Sequence, residues 1–172
     1  IYQCKKNDIS IHAWINPYRI STSVTNIDKI NTQSPAYKWL KDEDVTNDNN
    51  VAFSNGIYLN PSGPNVNAIL LDEIREIIAK YQVDGIHFDD YFYPTQSVDF
   101  DSAIYNQYVF KTTNPLSLAD WRRENVNNLI SSCYRAIKYA NKEILFSISP
   151  AADIEHNFEN LYADVQEWVR EG

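Results

Sequence analysis

The chain has no methionine, four glycines and two cysteines. So few glycines leave little room for a Gly-rich phosphate cradle, and neither HExxH nor GxSxG occurs. Cys4 and Cys133 are too few for a disulfide framework, and no CxxC spacing marks zinc. A single Cys4–Cys133 bridge stays open, and the redox compartment with it. Basic residues are sparse too: 15 Lys and Arg against 23 Asp and Glu, a net charge of -8. They form no stripe, which argues against nucleic acid or an anionic membrane as partner. No run of 18 apolar residues exists, so no transmembrane segment is expected. His12, His87, Asp89 and His156 lack tight ligand spacing, so neither metal nor cofactor is expected.

What is present is aromatic. There are 12 Tyr, 7 Phe and 4 Trp in 172 residues, enough chain for one domain with a core. Packing takes most buried rings; the others can line a ligand site. No signal-peptide pattern is visible. The chain opens on Ile1 and stops at Gly172 directly after a helical pattern. It reads as one domain, 1–172, truncated at both ends.

Four segments read as strands: 8–16, 56–60, 83–89 and 144–149. In each, one face is aliphatic and the other is mixed, turning polar at the C-terminal end. Ile9, Ile11, Ala13 and Ile15 oppose Ser10, His12, Trp14 and Asn16. Ile86 and Phe88 oppose Gly85, His87 and Asp89. Between strands, Val66, Ile69, Leu70, Ile74, Ile77, Ile78 and Tyr81 recur at helical spacing. So do Val126, Leu129, Ile130, Cys133, Tyr134 and Ile137. Ser117 with Asp120 resembles a capping box. A last helix is expected over about 160–170. Strands alternating with helices predict an α/β fold. The mixed faces favour a partial (β/α)8 TIM barrel over an open doubly wound sheet. A whole barrel takes about 250 residues, so about half is expected here. Two long polar segments, 21–55 and 95–114, leave strand C-termini.

Barrel enzymes keep their chemistry at strand C-termini. Asp89 ends the third strand on the same face as His87, and Asp90 follows on the other. Two carboxylates closing an apolar strand are costly unless used or paired. Asp89 is therefore the better catalytic candidate, with Asp90 in support; the plain alternative is capping or salt bridging. His12, Asn16, Tyr58, Asn60, His87 and Ser149 complete a polar ring. Carboxylates, amides and imidazoles share hydroxyl hydrogen bonds, so the ring suits a polyhydroxylated ligand. Trp14, Tyr18, Tyr91 and Tyr93 are candidate stacking platforms for sugar rings. Arg19, Arg122 and Arg123 lie near loops. Arg122 and Arg123 oppose the dipole of the helix they open, which calls for a partner carboxylate or a substrate acid.

Six blocks carry a wider resemblance: His12-Ala-Trp-Ile-Asn-Pro-Tyr-Arg19, Tyr58-Leu-Asn-Pro61, Tyr81-Gln-Val-Asp-Gly-Ile-His-Phe-Asp-Asp-Tyr-Phe-Tyr-Pro94, Asp120-Trp-Arg-Arg-Glu-Asn-Val126, Ile148-Ser-Pro150 and Leu161-Tyr-Ala-Asp164. Together they resemble the bacterial glycosyl-hydrolase-like family 10. The resemblance implies a TIM-barrel glycosidase-type domain, bacterial and exported or envelope-associated, that stops early in this chain. It puts Asp89 and Asp90 at the family's acidic strand end. It puts His12, Asn16, Arg19, Asn60, His87, Arg122 and Asn125 on site-shaping positions. One departure stands out: Ala151-Ala-Asp-Ile-Glu-His156 replaces a Phe-Gly-Ile-Trp-like segment, and adds Asp153 and Glu155 as possible acids. The expected activity is hydrolysis of a glycan or cell-wall polysaccharide. The rivals are a non-catalytic carbohydrate-binding module and a metal-dependent glycan deacetylase.

Overall fold

Alternation along three strands builds the central sheet. The computed structural model describes residues 1–89 and 92–171. Its elements run α1 (Tyr2–Lys6), β1 (His12–Ile15), β2 (Arg19–Ser21), α2 (Pro35–Lys41), β3 (Val51–Phe53), β4 (Ile57–Leu59) and α3 (Val66–Lys80). They continue with β5 (Gly85–Phe88), α4 (Ser102–Lys111), α5 (Leu118–Ala140), β6 (Leu145–Ile148), α6 (Ile154–Asn160) and α7 (Val165–Glu171). Strands β1, β5 and β6 form a parallel sheet with β5 in the middle. The register sets Ala13, Ile86 and Phe146 side by side, and likewise Ile15, Phe88 and Ile148.

This aliphatic face is the one that packs. Ile86 and Phe88 are wholly buried. Helix α3 offers Val66, Leu70 and Ile74 to the core, and α5 offers Val126, Leu129, Ile130, Cys133 and Ile137. Each such side chain contributes roughly 1.5–3 kcal/mol of burial. Helix α5 starts where the capping pattern predicts, with Ser117 Oγ accepting from Asp120 N–H at 3.1 Å. The opposite face carries Trp14, His87 and Ser147 in one row. It stays open: Trp14 is 71% exposed and Leu145 55%. Position 85, on this face, calls for glycine because a Cβ there would lie 2.5 Å from His12 Nδ1.

The segment 56–60 is a strand but not a parallel one. It contains β4, which pairs antiparallel with both β2 and β3 in a separate sheet. Alternation names a strand's faces but not its partner. The tight connection 54–56, where Ser54 N–H donates to Gly56 O at 3.1 Å, joins β3 directly to β4, and antiparallel pairing needs only such short connections. The architecture is thus mixed α/β with two three-stranded sheets, and among the described residues no barrel closes. The polar segments are not plain loops: 21–55 contains α2 and β3, and 95–114 contains α4. Both cysteines are free, and burial pushes the Cys133 thiol up to about 12.

Candidate active site at the strand ends

The parallel register that pairs Ile15 with Phe88 carries Asn16 next to Asp89 one residue further on. Asn16 Nδ2 donates to Asp89 Oδ2 at 3.0 Å. Asp89 Oδ1 is buried and, among the described residues, has no hydrogen-bond partner. The residue as a whole is only 7% exposed. An ionised oxygen out of water without a donor is expensive, so this carboxylate is half compensated. Asp90 and Tyr91 lie outside the described residues.

Two residues back, His87 takes its place in the cross-strand row. Its Nδ1 lies 2.8 Å from Ser147 Oγ and its Nε2 3.3 Å from Ser149 Oγ. The Trp14 ring meets it edge-on, with centroids 5.1 Å apart. Ser147 is a site neighbour that only its place on the mixed face of the last strand signals in sequence. His12 lies over Gly85 on the same face. Trp14, Asn16, His87, Asp89 and Ser149 are therefore brought together around the ends of the parallel strands.

Other predicted site residues have different surroundings. Tyr18 and Tyr93 are 0% and 1% exposed, so neither offers a ring face to solvent. Burial raises both phenols well above their ordinary range. Asn125 faces Tyr93 from α5, and its Nδ2 is buried too. Tyr58 donates to Asn55 Oδ1 at 2.6 Å. Asn60 is consumed by structural bonds: Nδ2 donates to Asn49 O, and Oδ1 accepts from Ser62 N–H and Oγ–H. Arg19 belongs to β2, and its backbone N–H donates to Asn16 Oδ1 at 3.1 Å.

Arg122 shows the plainer of its two expected explanations. Its guanidinium is wholly buried with Asp101: Nη2 to Oδ1 is 2.6 Å and Nε to Oδ2 2.9 Å. It also donates to Ser97 O at 2.7 Å and to Tyr162 Oη at 3.1 Å. The Tyr93 and Tyr162 rings lie 5.2 and 5.0 Å from its centre. A bidentate pair with further acceptors and two rings compensates a buried guanidinium. Asp101 was the missed partner; only the uncomfortable placement of Arg122 hinted at it. Arg123 is likewise engaged, with Asp120 at 2.7 Å and the Phe158 ring at 3.9 Å.

Of the acids beyond β6, Asp153 caps α6, accepting from His156 N–H at 3.1 Å. Glu155 stands exposed in the first turn of that helix. The segment is organised by Asn157, which bonds Ala151 through both its N–H and its C=O.

The glycosyl hydrolase-like 10 family model matches residues 1–172. Glycosyl hydrolase YngK of Bacillus subtilis is 33% identical over the whole chain, which corresponds to 36% of that relative. Glycosyl hydrolase DigH of Escherichia coli K12 is 29% identical over 99% of the chain and 42% of its own length. The chain thus spans about two fifths of the curated relatives it matches. With a family match from first residue to last, this chain belongs to the glycosyl hydrolase-like 10 family.

Proposed function

We propose that the chain carries the acidic strand end of a glycosidase site, built on part of a (β/α)8 barrel and acting on a glycan or cell-wall polysaccharide. The observation that carries this reading is the half-compensated carboxylate of Asp89 at the C-terminal end of the middle strand. Family membership and the similarity to relatives named as glycosyl hydrolases support it.

Asp89 serves as nucleophile or base. A second carboxyl group protonates the leaving oxygen. Within this chain Glu155 is the freer candidate, because Asp153 is already used as a helix cap. Separation decides the outcome: about 5–5.5 Å between carboxyls gives retention, and about 6.5–9.5 Å gives inversion. Trp14, widely exposed beside His87, supplies a flat apolar platform for a sugar ring.

The test is reducing-end release from purified bacterial cell-wall glycan strands. Asp89→Asn is expected to lower turnover by about 10³-fold while the circular dichroism spectrum is unchanged. Hydrolysis at the wild-type rate in that variant refutes the role. The exposed Trp14 face also favours a second reading, a carbohydrate-binding module. Calorimetric binding of the same strands with no release of reducing ends, lost in Trp14→Ala, would select it.

A further inference from the structure

We infer that Asn16 is a positioning residue that fixes the Asp89 carboxylate and leaves Oδ1 as its reacting oxygen. The inference rests on the proposed role of Asp89. Three observations carry it.

The first is that the amide has only one sensible orientation. Asn16 Oδ1 accepts the Arg19 backbone N–H at 3.1 Å. Nitrogen and oxygen of an amide are told apart by their partners. An oxygen held by a backbone donor turns Nδ2, and no other atom of Asn16, toward Asp89.

The second is that the Asn16 backbone is held from both sides. On its N-terminal side β1 is paired with β5. On its C-terminal side stands Pro17, and a residue before proline is confined to extended conformations. Tyr18 follows, wholly buried, with its carbonyl accepting Leu59 N–H at 2.7 Å. A side chain on such a support loses little entropy when it binds.

The third is the asymmetry of the carboxylate. Oδ2 has a donor, whereas Oδ1 is buried and has none among the described residues. The wholly buried Asp101, by contrast, has both oxygens paired. One tethered oxygen sets the plane of the carboxylate and reserves the other for a reacting centre.

Two measurements test this. In the first, side-chain amide NMR follows Asn16 in the wild type and in Asp89→Ala. A downfield, exchange-protected Nδ2 proton in the wild type is expected to revert to a solvent-like signal in the variant. An unchanged signal overturns the inference without reference to activity.

The second is hydrolysis of the cell-wall glycan strands. Asn16→Leu is expected to lower kcat about 10²-fold with KM within threefold, and wild-type kcat overturns the inference. In Asn16→Asp the introduced carboxyl and Asp89 can hold one proton between them. That proton restores a donor, so activity should recover as the pH falls through the carboxylate range. A variant that stays at the Asn16→Leu level throughout contradicts the donor role. If Asp89→Asn abolishes hydrolysis while Asn16→Leu does not, only the positioning role fails. If the amide signal responds but Asp89→Asn still hydrolyses, it is the proposed catalytic role of Asp89 that fails.

Discussion

Asp89 and Asp101 are both buried, twelve positions apart, and they are held in opposite ways. Asp101 gives both oxygens to Arg122, and the guanidinium is completed by carbonyls, a phenol and two rings. Asp89 has one amide donor on one oxygen. The first carboxylate is spent on structure. The second keeps an atom unpaired among the described residues, and such an atom calls for an explanation. The contrast separates two aspartates that composition and neighbourhood leave alike, and it can be tested at both ends.

The largest effect expected is on chemistry: the loss of turnover in Asp89→Asn, against little change when Asp101 is replaced conservatively and the fold survives. Next comes stability. Asp101→Asn leaves the Arg122 charge buried without its partner and should cost about 3–5 kcal/mol in denaturant unfolding. Asp89→Asn should move the other way, raising stability by up to about 1–2 kcal/mol, because it removes an undercompensated charge from a functional site. If both variants destabilise alike, the contrast is broken.

Smaller effects sharpen it. Ser117→Ala removes the α5 cap, which feeds Arg122 into its place, and should cost about 1 kcal/mol. The smallest is a pH effect. The Ser117 hydroxyl and then Arg123 hold the Asp120 carboxyl below its ordinary value. Its contribution is present above the unfolded-state value and is lost as pH falls through the lowered one. The cap residue should therefore matter less in acid, which unfolding of wild type and Ser117→Ala at both pH values will show. At the alkaline end the sign reverses. Burial raises the Cys133 thiol, so stability is retained below its ordinary value of 9.0 and is lost as pH rises toward about 12.

Period and alternation made a good part of this legible. Helices α3 and α5 have clear apolar stripes, and the faces of β1, β5 and β6 follow from alternation. Other elements carried no such signal. Helix α4 buries none of its residues, and β2 and β3 are three residues long, too short to show a period. Strand β4 was visible but its partner was not, since pairing depends on chain path. At the site, alternation placed Asp89 beside His87 and showed Asn16 on the same side of its own strand. It could not show Asn16 turned toward Asp89, because that bond depends on register between strands 73 residues apart. Tyr18 and Tyr93 look like platforms in sequence, and only packing reveals that they are enclosed.

That same separation bears on assembly. The contacts of Arg122 with Asp101, Ser97 and Tyr162 close spans of 21, 25 and 40 residues. The Asn16–Asp89 bond closes 73, and it needs β1 in place at the edge of the sheet. Short spans close at lower entropic cost and sooner. The Arg122 hub can therefore form while β1 is still undocked, and the arrival of β1 is the event that gives Asp89 its tether. The docking of β1 is thereby also the step that arms the site.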